Sequence, residues 1–555
     1  MPELRLIPLT PTTKVFLDEP VREEWARDQF EGFQNETISF QTAFHGTAEY
    51  DRRPVILRAE SPLKQWIRIR AVLSVPVRLA TLPGADENYL RKTPGLYPDL
   101  LRDQQAENPL ALLRVQTDQW QSFWIDVEPE GQCEPGDYPV ELHLVSADDD
   151  SVLASVCVSV TVLPGRLPDQ KLIRTHWFHT DCLAEYYRVP VFGETHWTII
   201  ENFIRTAVRR GCSMILTPLF TPPLDTAPGR ERLTVQLVEV TVRGGEYAFG
   251  FERLERWVEI CRRCGVSWLE MSHLFTQWGA AAAPKIMATV DGEEKQLFGW
   301  ETDAHGDAYA RFLSAFLPAL MEELNRLGVA DRVCFHISDE PSLDHLESYR
   351  HACSLVKPYL QGRPVIDALS DFAFYQTGAL EKPVVAIDHL EPFLQAGVPG
   401  LWTYYCVGQY RDVTNSFMAM PAARTRMLGV QLYRYQLEGF LQWGYNFYHT
   451  QLSLAPLNPY EVTDAGGVFP AGDAFQVYPG PDGQPEESLR FMLDHLAMQD
   501  LRALEALETL RGREHVLRLL EECAQGPLTL TEYPRDAAFF DRLRRRVNEE
   551  LIARG

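Results

Sequence analysis

The sequence predicts a multidomain β plus α/β protein: an N-terminal antiparallel β-sandwich, a (β/α)8 barrel and a helical C-terminal extension. Three observations carry that expectation. The chain has 555 residues, more than one hydrophobic core usually serves. From about 35 to 163 it runs in short, alternating apolar segments separated by turn residues. Beyond 170 the rhythm changes to strand, loop and helix, repeated eight times.

The sandwich segments are TISFQTAF, PVILRAE, WIRIRAVLSVPVRLATL, SFWIDVEP, YPVELHLVSA and VLASVCVSVTVL. Their period-two alternation buries one face of each strand and leaves the other in water. PGRLPDQ (164–170), with two prolines and a glycine, reads as the linker, which sets the first domain at 1–165. The barrel, 166–484, is read from eight apolar runs: 172–178, 212–220, 267–275, 332–338, 364–370, 384–390, 400–406 and 439–445. Helical patterns such as FERLERWVEICRRCG separate them, several ending in the glycine that commonly stops a helix. No GxGxxG follows a strand, which argues against a dinucleotide-binding open sheet. Residues 485–555 are helical and charged, and are expected to pack on or extend the barrel.

Composition excludes several classes of partner. A formal net charge of −24 repels phosphate backbones and anionic lipid heads, so neither nucleic acid nor a membrane surface is expected. No run of 18 apolar residues offers a membrane span. The start, MPELRLIPLTPTTKVFLDEP, lacks a basic region followed by an apolar one. Ten scattered Cys, with Cys261 and Cys264 as the only CxxC, complete no zinc site and suit a reducing cytoplasm. No cofactor and no metal are expected. His176, His179 and Asp181 lie close in sequence but without convincing ligand spacing. The oligomeric state is left open, a homo-oligomer included.

An eight-stranded α/β barrel carries its site at the carboxyl ends of its strands. There the sequence places His, Trp, Tyr and carboxylates repeatedly. FHISDEP (335–341) is the sharpest feature, because an apolar strand delivers two adjacent carboxylates, Asp339 and Glu340, before a proline stops it. Neighbouring carboxyls in different environments separate in pKa, leaving one ionised and one a proton donor. The competing reading makes SDEP the cap of a following helix.

SDEP after the fourth strand, LWTYYC (401–406), Asn415 before MPAARTRMLG, YRYQLEGFLQWGYNFY (433–448) and GDAFQVYPGPDG (472–483) occur in one order. In that order they resemble glycoside hydrolase family 123, the N-acetyl-β-galactosaminidases, and the wider group of proteins that share its carboxy-terminal domain. The resemblance implies a retaining exo-glycosidase acting on a small oligosaccharide or glycoside by substrate-assisted catalysis, in which the sugar's own 2-acetamido oxygen attacks its anomeric carbon. It implies Glu340 as general acid and base and Asp339 as the carboxylate that orients the acetamido group. Trp443 is then a candidate floor for the sugar ring, and Tyr404 or Tyr405 a partner for the acetamido oxygen. Trp402 and Tyr445 are expected around the same pair, with His176, His273, His336, His389 and Asn446 as hydroxyl ligands. Two alternatives stay open: a glycosidase for sugars without the acetamido group, its second carboxylate drawn from Glu270, Asp367 or Asp388, and a non-catalytic carbohydrate-binding protein.

Overall fold

The computed structural model describes residues 4–553 except 106, 107, 109 and 110, so the outermost residues of the expected first and last segments lie outside it. Residues up to 163 form two five-stranded sheets. One holds Ile7–Leu9, Ile38–His45, Trp120–Val127, Ile67–Val77 and Gly95–Asp103; the other holds Gln29–Phe33, Val152–Leu163, Gly136–Ser146, Pro54–Glu60 and Leu113–Arg114. The alternation in the sequence is what joins them. Phe40, Phe44, Phe123 and Ile125 from one sheet meet Leu57, Leu142, Leu144 and Val158 from the other in one buried core. One pairing departs from the antiparallel expectation, since Gln29–Phe33 runs parallel to Val152–Leu163. Parallel neighbours need a long connection, and more than a hundred residues of sandwich lie between these two strands.

The next strands are β1 (Ile173–His176), β2 (Met214–Thr217), β3 (Trp268–Met271) and β4 (Val333–Phe335). They continue as β5 (Ile366–Ala368), β6 (Lys382–Ala386), β7 (Trp402–Tyr405) and β8 (Gly439–Gln442). All eight are parallel in the order β4-β3-β2-β1-β8-β7-β6-β5; seven fall inside the apolar runs, and β6 begins two residues before its run, at Lys382. The barrel is nearly closed: between β4 and β5 the ladder is reduced to a bridge from Phe335 to Val365, with Phe335 N–H donating to the Pro364 carbonyl at 2.9 Å. Helices follow the strands, and the one after β8, Leu489–Arg511, packs so closely on Ala422–Arg434 that a Cβ at Gly429 would lie 2.0 Å from the Ala497 carbonyl oxygen. The first tail helix therefore completes the ring of barrel helices.

Between β2 and the helix Asp307–Arg326 stands a four-stranded sheet that the sequence reading did not anticipate: Glu239–Arg243, Glu246–Gly250, Ile286–Val290 and Glu293–Phe298. Its two hairpins turn on Gly244–Gly245 and Asp291–Gly292, all four residues at positive φ. Two-residue turns of that kind match the twist of paired strands.

The sandwich is bolted to the barrel by buried ion pairs. Arg70, with a fully buried side chain, bridges Asp126 of its own sheet and Glu487, and Glu487 also binds Arg210. A second bolt joins Asp99 of the sandwich to Arg490 through Nε at 2.9 Å and Nη2 at 3.0 Å. Among the described residues no helix is long and apolar enough to cross a membrane.

Candidate active site

β4 ends at Phe335, and the chain bends at Asp339 and Glu340. Adjacent residues of a regular strand point to opposite faces. Glu340 escapes that rule because its φ is +46°, in the left-handed region that few non-glycine residues occupy. The bend is held in place by Trp278 N–H donating to the Asp339 carbonyl at 2.9 Å and by Ser338 Oγ donating to the Thr276 carbonyl at 2.8 Å. The turn that follows is capped by Ser342 and His345, so neither carboxylate is used as its cap.

Tyr404, rising from β7, donates its hydroxyl to Glu340 Oε1 at 2.6 Å. Alternation separates the two tyrosines. Tyr404 points into the barrel, whereas Tyr405 points out and sets its hydroxyl 3.3 Å from Asp494 in the packing against the tail helices. Trp402 also points inward, but from the first residue of β7, where it plugs the barrel; a Cβ at Gly439 would stand 2.0 Å from its ring. Asp339 Oδ1 is shut off from solvent and has no hydrogen-bond partner. Burial first, and then the neighbouring Glu340, push the Asp339 carboxyl well above the usual carboxylate range.

Beneath this pair lies a buried relay of charge. His336 donates from Nε2 to Glu270 at 2.6 Å and from Nδ1 to Asp367 at 3.0 Å. Glu270 also accepts from Trp177 Nε1 at 2.9 Å and from the Thr175 hydroxyl, and Asp367 accepts from the Tyr349 hydroxyl at 2.6 Å. Against the cost of burial, the two carboxylates hold the His336 imidazolium up to about 10. His273 stacks on it with ring centres 4.1 Å apart, and burial together with that charge drives His273 well below the ordinary range, so it is neutral. His336 thus has no nitrogen left for a sugar hydroxyl.

The β8 side holds Trp443, half-buried against Phe447 and Phe469, with its indole N–H turned to Asp473. Gly444 follows because a Cβ there would come within 2.7 Å of the Asp473 carbonyl oxygen. That close approach brings Asp473 up beside Trp443, where burial pushes its carboxyl up to about 8 against the opposing pull of the Trp443 indole N–H, the Arg490 charge and the Val407 backbone. Burial and the charges of Glu340, Asp473 and Asp339 nearby push the Cys406 thiol, just past β7, well above its usual range. Asp225 lies near Asp473 and is raised by burial to about 6.

The remaining expected ligands stand elsewhere. His176 faces outward against Tyr445 and Phe491, because on β1 it is Thr175 that points inward to Glu270. Tyr445 donates to the Phe203 carbonyl at 2.9 Å, within the outer core. Asn446 is spent on the backbone of His179, accepting from its N–H at 2.9 Å and donating to its carbonyl at 3.0 Å. His389 lies exposed on the rim, 2.8 Å from Asp388, which also accepts from Gln409 at 3.0 Å. Asp473 was missed as an individual residue, although GDAFQVYPGPDG was visible as a motif.

Among the described residues, the two buried groups with the composition of a metal site are already committed: Asp181, beside Cys182 and His449, is paired with Arg232 at 2.7 Å, and His336, beside His273 and Asp367, uses both nitrogens; a third group, Glu60, Glu141 and His143, lies at the surface of the sandwich. A cleft of about 470 Å³ between the sandwich and the helix Ala538–Ile552 lies outside the mouth and is lined by paired charges such as Arg544–Glu36 and Arg426–Asp500.

The family description "Glycoside hydrolase 123, catalytic domain" matches residues 177–507. The chain belongs to glycoside hydrolase family 123. It is a glycoside hydrolase by that membership. Its fold is similar to a family 123 glycoside hydrolase from Clostridium perfringens, solved in a study of glycolipid glycan hydrolysis: 13% identity, 99% of this chain and 98% of the other covered, TM-score 0.74. Looser similarity reaches a β-glucuronidase from Ruminococcus gnavus (10% identity, 87% and 91% covered, TM-score 0.32). It also reaches a family 5 mannosidase from Rhizomucor miehei (12% identity, 60% and 96% covered, TM-score 0.31). No curated protein sequence matches.

Proposed function

We propose that this family 123 enzyme is a retaining exo-glycosidase that removes a terminal β-linked 2-acetamido-2-deoxy sugar, N-acetylgalactosamine in first place, by substrate-assisted catalysis. The observation that carries the reading is the convergence of Asp339 and Glu340 at one bend, while the carboxylates of the neighbouring strands are consumed. Glu270 has both oxygens occupied, and Asp367 is held by His336, Tyr349 and the Ile337 N–H at 3.1 Å. Neither is free to serve as the separate nucleophile that a non-acetamido sugar requires. The acetamido oxygen of the substrate fills that role.

In the empty site the pair holds a proton on Asp339, where burial and repulsion from Glu340 favour it. A bound acetamido N–H donating to the unpartnered Oδ1 favours the ionised form of Asp339. The proton then belongs on Glu340, positioned by Tyr404, for delivery to the glycosidic oxygen. Asp339 balances the positive charge that develops on the oxazolinium-like intermediate. Glu340, now deprotonated, takes a proton from the water that opens that intermediate, which gives net retention. Acid–base assistance of this kind is worth roughly 10²–10⁴-fold. The Clostridium perfringens relative's association with glycolipid glycans supports a glycan substrate.

The test is a panel of chromogenic β-glycosides with and without the 2-acetamido group, on the wild type and Glu340→Gln. Turnover of acetamido sugars, lost in the variant, is the expected result. Turnover confined to sugars lacking the group overturns the mechanism, and sugar binding without any turnover overturns the activity.

A further inference from the structure

His179 and Asp181, close together just past β1, are joined by a third residue that the sequence does not single out. Arg232, on the long loop after β2, grips Asp181 with Nε at 2.7 Å and Nη2 at 2.8 Å, and both side chains are buried. The same Nη2 lies 3.1 Å from His179 Nδ1. A guanidinium only donates, so Nδ1 accepts and the ring proton sits on Nε2. Nε2 in turn donates to the Trp443 carbonyl at 3.1 Å. Burial first, and then the Arg232 charge, push His179 down to about 3, so the ring stays neutral and keeps this tautomer.

The link is held at both ends. Asn446 fixes the His179 backbone independently of its side chain, accepting from its N–H at 2.9 Å and donating to its carbonyl at 3.0 Å. Arg232 also donates from Nη1 to the Leu224 carbonyl at 3.2 Å, which ties in the loop after β2. Phe447 fills the space between, its ring centre 5.2 Å from those of His179 and Trp443 and 5.4 Å from the Arg232 guanidinium carbon. Trp443 thus has its carbonyl held by His179, its ring packed on Phe447 and its indole N–H turned to Asp473. A stacking surface fixed in advance spares the cost of ordering it when a ligand binds. We infer that His179, anchored by the Arg232–Asp181 pair, is a positioning residue that holds Trp443 as the floor for the terminal sugar. Its own ring nitrogens are both taken, so it acts through Trp443 and not on the sugar. The inference rests on the reading of Trp443 as that floor.

The experiment is a double-mutant cycle, with kcat and KM measured for wild type, His179→Phe, Trp443→Ala and the double variant on the β-glycoside that the wild type hydrolyses best. His179→Phe keeps a ring against Phe447 but neither donates nor accepts. It is expected to lower kcat/KM roughly 10-fold, through KM, because stacking serves the bound sugar and the transition state alike. Trp443→Ala should cost more, and the double variant no more than Trp443→Ala alone, since His179 then has nothing to hold. His179→Gln, whose amide can still donate to the Trp443 carbonyl, should recover part of the loss. Losses that multiply in the double variant overturn the inference, as does an unchanged His179→Phe beside a damaged Trp443→Ala. An unchanged Trp443→Ala overturns the reading of Trp443 as the floor, and the inference with it. Thermal unfolding verifies each fold, and His179→Leu carries the cycle if His179→Phe does not fold. The cycle is read on whichever β-glycoside turns over, so turnover confined to 2-hydroxy sugars overturns the acetamido reading alone. No turnover, with no sugar bound in calorimetry, overturns both.

Discussion

Replacing His336 by Gln removes the one cation between Glu270 and Asp367, and its cost follows from the geometry. The imidazolium is fully buried, donates at 2.6 and 3.0 Å, and has its proton affinity raised from 6.5 to about 10. Because the folded state binds this proton more tightly than the unfolded chain, its contribution is complete below pH 6.5 and is lost as pH rises towards 10. At about 1.4 kcal/mol per pH unit, the interval amounts to something on the order of 5 kcal/mol. Breaking a buried charge pair by deleting one partner costs about 3–5 kcal/mol in other proteins, the same range. The assay is urea unfolding of wild type and His336→Gln, followed by tryptophan fluorescence, at pH 6.5, 8 and 9.5. The variant should be less stable by about 3–5 kcal/mol at pH 6.5, with the gap closing towards pH 9.5. A gap below about 1 kcal/mol, or one independent of pH, would refute the reasoning. Activity gives a second readout: without the charge that favours an ionised Asp339, the acidic limb of kcat/KM should move to higher pH.

Three other predictions are quicker to check. Tyr404→Phe deletes the 2.6 Å bond to Glu340 and should lower kcat roughly 10- to 100-fold while leaving the melting temperature within a few degrees, because Tyr404 contributes little else that is polar. Asp473→Asn should stabilise the protein at pH 7 by a few kcal/mol: the wild-type carboxyl, raised to about 8, loses stability steadily as pH climbs from 4 to 8, and the amide does not. Denaturation curves that coincide at pH 4 and separate at pH 7 are the expected signature. Asp99→Ala, in the sandwich, should unseat Arg490 from the Gly472 and Phe475 carbonyls and reduce kcat/KM although it touches no substrate. Unchanged kinetics with lowered stability would mean that the sandwich only supports the barrel.

The order of the architecture is legible in the chain alone. Period-two alternation marked most sandwich strands, and eight apolar runs marked the barrel strands, because burial on one or both faces leaves a periodic trace in the chain. It did not expose the parallel strand Gln29–Phe33, whose partner is distant in sequence, nor the sheet at 239–298, although Gly244–Gly245 and Asp291–Gly292 were legible hairpin turns. Of the candidate site, Asp339 and Glu340 stood out because two carboxylates at the end of an apolar strand are uncommon. Which groups share their space was decided only in three dimensions. Tyr404 and Tyr405 are neighbours in sequence, and only the direction of β7 says which one meets Glu340. His176, His273 and His336 look alike as residues, yet one packs outward, one is a neutral stacked ring and one a buried cation. The reason is physical. Periodicity is local and survives in one dimension, whereas hydrogen-bond partners and desolvation come from strands far apart in the chain.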